Sequence, residues 1–234
     1  MKKLLFTSLI ATFALACSMI ASAADNKTNV DERLSKSANI IEELSSPSAN
    51  AGIPHNVLAG AKCIAVVPGM KQAGFVLGGH HGDGVATCKL ANGRWSQPAP
   101  FQLSGGSFGL QIGAESVDLV MMIMNDEGMQ SLESGHFKVG GEVNAAAGPV
   151  GREGSAEAGW KAAILTYAKA KGVYGGVTIK GAELNQDKKS TEALYGNDTP
   201  FAEILHGKAP ATHDPAVSQF LTTIRSAEAN ARAQ

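Results

Sequence analysis

The sequence holds 234 residues, 44% hydrophobic and 18% charged, which is enough apolar chain for one domain with a substantial core. Its formal charge of −1 excludes the strong global field that draws a protein to nucleic acid. Only 6% of residues are aromatic and 27 are Gly, so turns and tight bends are over-used.

The first 23 residues read as an export signal rather than as part of the fold. Lys2 and Lys3 make a positive start, Leu4–Ile20 an apolar run, and Ala21-Ser22-Ala23 a small-residue cleavage site. This predicts a periplasmic protein. A rival reading is a lipoprotein signal ending at Cys17, in which Ala14 stands where such signals usually carry Leu. No later stretch is apolar and long enough to span a bilayer.

Residues 24–28 read as a flexible start to a single domain over 29–232. Val30, Leu34, Ala38, Ile41 and Leu44 then recur at helical spacing, with Asp31, Glu32, Arg33, Lys36, Glu42 and Glu43 on the outer face. Membrane-surface helices are usually basic. This face is net acidic, so the helix is expected to dock on the body of the protein. Pro47 ends it, and Ile53-Pro54 opens a short helix reaching Lys62. Short strands are expected at 63–67, 73–79 and 84–90. Pro68-Gly69 would turn the first into the second, and a hairpin turn at His80-His81-Gly82-Asp83 the second into the third. Ala91-Asn92-Gly93 is another turn signal, followed by an irregular segment holding Trp95, Pro98 and Pro100.

Residues 103–125 are the stretch around which the rest is organised. A glycine turn at Gly105-Gly106 precedes alternating Phe108, Leu110 and Ile112. The run Val117–Met124, broken only by Asp118, reads as a strand buried on both faces. A short helix follows over Gly128–Glu133. Further strands are expected at 137–150, 162–169 and 173–182, and helices at 186–195, 201–205 and from Asp214-Pro215, the last with Val217, Leu221, Ile224 and Ala227 on one stripe. The pattern predicts an α+β fold: a strongly curved, mainly antiparallel sheet or partial barrel flanked by an amphipathic N-terminal helix and a C-terminal helix.

With Cys17 removed in the signal, Cys63 and Cys88 remain, and an exported protein is free to bridge them. In a simple meander of three short strands the middle strand would hold them about 9–10 Å apart, whereas a bridge needs Cα atoms within about 7 Å. A disulfide therefore requires the two Cys-bearing strands to be neighbours, and two buried thiols are the alternative. The reading favours the disulfide.

Several constellations carry less than they suggest. One tight turn at His80, His81 and Asp83 rarely supplies three converging ligands, so no metal is expected. Gly105-Gly106-Ser107 lacks the following helix that a phosphate-cradling loop needs. Ser107, Asp118 and His136 lack the strand-turn-helix elbow of a hydrolase, so no catalytic residue is assigned and the protein is expected not to be an enzyme. Basic residues fall at several strand ends, where they either converge on one rim or stay dispersed. Arg152 is the foremost headgroup ligand of such a rim, because guanidinium pairs with phosphate in bidentate geometry. Lys71, Lys138 and Lys171 are its companions.

A set of blocks in fixed order resembles the SYLF domain family. They include Ala73-Gly74-Phe75 with Gly78-Gly79, Trp95-Ser96-Gln97-Pro98, Leu103–Gly113, Asp118-Leu119-Val120, Ala146 with Gly148–Arg152, Tyr167 with Lys171-Gly172, and Tyr195-Gly196, and the resemblance covers about residues 30–230. It implies a non-enzymatic phospholipid-binding protein with no cofactor, phosphoinositides being the ligands most associated with the family. Some eukaryotic members also bind actin. The acidic first helix departs from the basic one of eukaryotic members, and an exported protein is not expected to meet actin. The implied partner is therefore an anionic phospholipid or membrane surface. An envelope protein-interaction module is the alternative, and a hydrolase the more distant one.

Overall fold

The structure is a computed structural model that describes residues 25–46, 52–74, 77–108, 113–134, 137–139, 145–149, 162–170, 173–176 and 182–233. Residues 1–24, which include the segment expected as an export signal and Cys17, lie outside the described residues, as do His136, Arg152 and Lys171.

Helix α1 covers residues 25–45, so the segment expected as a flexible start is already helical from residue 25. Its apolar stripe of Val30, Leu34, Ala38, Ile41 and Leu44 is buried, as the spacing predicts. One outer-face assignment is corrected: Arg33 is buried, beside the equally buried Ser37, because its guanidinium finds partners inside. α2 is His55–Gly60, with Pro54 as its N-cap residue.

Two long strands replace the three short ones expected next. β1 runs Cys63–Gly74 and β2 Leu77–Cys88. Pro68-Gly69 is a bulge inside β1 and not a turn. Gly69 takes a φ of 61°, and its N–H donates to Asp118 Oδ1 at 2.8 Å. His80–Asp83 is mid-strand, not a hairpin tip. Antiparallel pairing over this length sets Cys63 directly opposite Cys88, with Cα atoms 4.0 Å apart and the sulfurs bridged. The meander premise thus fails: the two cysteines belong to adjacent strands.

β3 spans Ala99–Phe108 and passes straight through Gly105-Gly106, where a turn was expected. β4 is Gly113–Ile123, and its Val117 and Leu119–Ile123 are buried, as the unbroken apolar run predicts. α3, Asp126–Glu133, is capped by Asn125, whose side-chain oxygen accepts the Gly128 N–H. Residues 137–150 are not one strand. β5 (Phe137–Val139) and β6 (Ala145–Ala147) lie near opposite ends of the sheet. The same holds for 173–182: β8 (Val173–Gly176) pairs with β7 (Ile164–Ala170), whereas β9 (Ala182–Gln186) crosses to β3. α4 (Lys188–Tyr195), α5 (Phe201–Leu205) and α6 (Pro215–Arg232) complete the chain. On α6 the buried stripe is Val217, Phe220, Ile224, Ala227 and Ala231, with Phe220 taking the place expected for Leu221.

The product is a nine-stranded sheet in the order β5-β9-β3-β2-β1-β4-β7-β6, with β8 on β7. All its ladders are antiparallel except β6 with β7. The fold is the predicted α+β, with an open sheet and a helix at each end of the described residues. Segments 63–67, 85–88, 99–101, 119–123 and 164–168 are buried throughout, so this half of the sheet is covered on both faces. Beyond the bulge one face turns polar, and Lys71, His81 and Gln102 are exposed. The C-terminal helix is locked to the covered half by Glu228, which accepts from Trp95 Nε1 and Arg232 Nε, each at 2.9 Å, and pairs with Lys89.

Backbone and ring crowd closely around Gly84. A Cβ there would sit 2.4 Å from Phe101 Cζ and 2.7 Å from the Val66 carbonyl oxygen. The phenyl ring can tilt but the carbonyl cannot, so Gly84→Ala is expected to lose about 2 kcal/mol of stability through overpacking. The shift in urea midpoint measures it.

Candidate functional site

The bulge in β1 and the polar face beyond it create a hollow that α1 roofs. The groove measures about 490 Å³, within the roughly 300–1,000 Å³ usual for small-molecule sites. Three walls form it. The sheet contributes Gly69 and Lys71 of β1, His81 and Asp83 of β2, and Gln102 of β3. Asn26, Asn29, Glu32, Arg33 and Lys36 come from α1 at spacings of three and four, which put them along one side of a helix. Asp187, Lys189 and Ser190 close the third side at the start of α4. The side chains that line it are mostly polar or charged, which suits a ligand able to pair with them.

Arg33 fixes the roof to the floor. Its Nη2 lies 3.0 Å from Asp187 Oδ2, its Nη1 donates to the same oxygen at 3.1 Å, and Nη1 also reaches the Gly84 carbonyl at 3.4 Å. Asp187 caps α4, accepting the Ser190 N–H at 3.1 Å and the Ser190 hydroxyl at 2.6 Å. Two further tethers hold α1: Lys27 to Asp214, the N-cap of α6, and Glu43 to Lys169 of β7 at 2.5 Å.

Burial acts to raise the pKa of Asp187, but Ser190 and then the Arg33 guanidinium outweigh it and hold the carboxyl below its ordinary 3.8. Asp214 and Glu228 are depressed likewise, burial being outweighed by Lys27 and the α6 amides in one case, and by Lys89, Trp95 and Arg232 in the other. A carboxyl whose folded pKa is lowered adds stability above the unfolded pKa, and that stability is lost as pH falls through the folded value. Unfolding free energy is therefore expected to drop as pH falls below about 4. Asp187→Asn should lower stability at neutral pH and flatten its acid dependence, which urea titrations at neutral and acid pH will show.

Cations within the groove fall into two classes. Arg33 is committed to Asp187, and Lys36 pairs with Glu32 at 2.8 Å. Lys71 and Lys189 are exposed and make no ion pair among the described residues. Of the four basic residues expected to share a rim, Lys71 is thus in the groove. Lys138 occupies the same cross-strand row, through Lys71↔His81↔Ser104↔Glu183↔Lys138, four strands away on β5. Arg152 and Lys171 fall outside the described residues. Lys62, Lys89 and Lys169 are each taken up in ion pairs elsewhere.

The other constellations come apart. Adjacent residues of a strand point to opposite faces: His80 is buried on the core side, where burial lowers its pKa, and His81 is exposed on the groove side. They do not converge with Asp83, and no metal-holding cluster occurs among the described residues. Ser107 on β3 and Asp118 on β4 have β2 and β1 between them, and Asp118 is spent on the Gly69 bulge.

Sequence reasoning missed Arg33, Asp187 and Lys189. Arg33 and Ser37 extend the buried stripe of α1 beside Val30 and Leu34, a signal set aside because charge was equated with exposure. Asp187 three residues before Ser190 is a helix-start pattern that could have been read.

The family model described as "Ysc84: Las17-binding protein actin regulator" matches residues 104–227. "Protein YSC84" of Saccharomyces cerevisiae is 32% identical over 191 residues, covering 77% of this chain and 41% of the relative. "LAS seventeen-binding protein 3" of the same species is 32% identical over 206 residues, 84% of this chain and 44% of the relative. The human "SH3 domain-containing YSC84-like protein 1" is 32% identical over 190 residues, 78% and 55% respectively. The chain spans about half the length of the curated relatives it matches. A match of this extent places the chain in the Ysc84 family, the family of the SYLF domain.

Proposed function

We propose that this protein is an exported, non-enzymatic phospholipid-binding protein that works in the periplasm and holds the phosphate of a lipid headgroup in the groove under α1. The observation that carries this reading is the pair Lys71 and Lys189, two cations left without an ion-pair partner among the described residues in a polar hollow of headgroup size. Lys138 stands in the same cross-strand row, on β5. The Cys63–Cys88 bridge suits an oxidising compartment. No helix among the described residues is long and apolar enough to cross a membrane, so contact through the groove is the mode proposed. The separation of Ser107 from Asp118 leaves a hydrolase without its constellation.

Co-sedimentation with phosphatidylglycerol vesicles tests the reading. Each lysine near an anionic surface contributes about 1 kcal/mol, so Lys71→Ala with Lys189→Ala should weaken binding about thirtyfold. Both side chains are exposed, so stability should not change. The second reading, a module for a protein partner, is favoured by the family description, which names a Las17-binding actin regulator. Salt-independent behaviour with no sedimentation on any vesicle would support it instead.

A further inference from the structure

The groove carries a weakly compensated carboxylate as well as lysines with no ion pair among the described residues. Asp83 stands on β2 two residues from His81, the register partner of Lys71 on β1. Its Oδ1 is buried with no hydrogen-bond partner among the described residues, although its side chain as a whole is 45% exposed. The exposed oxygen is therefore Oδ2. The cation nearest to it is Arg33, 3.9 Å away and already bound by Asp187 at 3.0 Å. A charge-assisted hydrogen bond needs closer approach, about 2.7–2.9 Å, so Asp83 keeps much of its negative charge for whatever enters. Lys71 faces His81 in the register, Asp83 stands two residues further along β2 opposite the bulge, and both line the groove. The groove thus presents a fixed positive and a fixed negative group a short span apart. A ligand that is anionic throughout would set its charge against Asp83 and leave that carboxylate unpaired, at a cost in affinity.

Resting on the headgroup reading above, we infer that the groove selects a phosphodiester carrying a primary ammonium two carbons away, the phosphoethanolamine chemistry of an aminophospholipid. The phosphate seats on Lys71 and Lys189, and the ammonium donates to Asp83 Oδ2. The three N–H donors of the ammonium matter, since a quaternary amine of equal charge has none to offer.

The test uses the mature protein and soluble headgroups of equal phosphodiester charge, titrated calorimetrically. Glycerophosphoethanolamine is expected to bind at least tenfold more tightly than glycerophosphoglycerol or glycerophosphocholine. Asp83→Asn should bring that ratio close to one while phosphodiester binding persists, and Asp83→Glu should restore part of it. Lys71→Ala should weaken all three ligands together. Vesicles at fixed phosphatidylglycerol content, with phosphatidylethanolamine replacing phosphatidylcholine, supply the membrane arm, where binding should rise. Equal affinity for the three soluble ligands overturns the selectivity and leaves the headgroup reading standing. No binding of any ligand, in solution or on vesicles, overturns both. Preference for the amine in solution with no response on vesicles supports the recognition chemistry and assigns it to a free phosphodiester.

Discussion

Replacing Arg33 by alanine is expected to lower the unfolding free energy by about 3–5 kcal/mol, the usual loss when one partner of a buried ion pair is removed. The side chains of Arg33 and Asp187 are 9% and 10% exposed, so water cannot replace the lost partner. The Gly84 carbonyl would lose a donor at the same time. Urea unfolding near neutral pH measures the loss. Arg33→Lys should recover only a part, because an ammonium cannot reach Asp187 and the Gly84 carbonyl with the same fork. The effect should extend to function: Arg33 pins α1 over the groove, so vesicle binding by any Arg33→Ala protein that remains folded should fall as well.

Removing the disulfide should cost about as much. Cys63 and Cys88 are 25 residues apart in sequence, and closing a loop of that length restricts the unfolded chain by about 3.5 kcal/mol in the chain-entropy account. Both cysteines are buried, at 0% and 1% exposure, in the half of the sheet covered on both faces. A mild reductant should therefore leave the folded protein bridged, while the same reductant in urea should open the bridge and shift the midpoint. The Cys63→Ala, Cys88→Ala protein should match the reduced midpoint. Equal midpoints with and without the bridge would contradict this.

Periodicity made much of the architecture legible. The apolar stripe of α1, the unbroken run of β4 and the Asp214-Pro215 start of α6 each follow from spacing and capping alone, and each stands where it was read. Long-range pairing was not legible. Nothing local says that Pro68-Gly69 bulges rather than turns; that depends on Asp118, 49 residues further on, accepting the Gly69 N–H. Nothing local says that 137–139 and 145–147 go to opposite ends of one sheet, since three-residue strands carry too little alternation to reveal a partner. The bridge between Cys63 and Cys88 stands as the reading favoured; only the geometric objection to it fails, because it cut two twelve-residue strands into three.

The groove was half legible for the same reason. Lys71 could be nominated from its place near a strand end. Its neighbours His81, Asp83 and Gln102 come from register, and Arg33 and Lys189 from helices more than 30 residues away on either side. A groove assembled from three walls is a property of the tertiary structure, and sequence offered only its component charges.

Amide chemical-shift mapping on the isotopically labelled protein, titrated with a short-chain phospholipid below its micelle concentration, tests the central claim most directly. Shifts concentrated at Gly69–Lys71, His81–Asp83, Gln102, the 29–36 segment of α1 and Asp187–Ser190, abolished together by Lys71→Ala with Lys189→Ala, are the predicted result. Saturable shifts that map to the covered half of the sheet or to α6, and survive that double substitution, would contradict it.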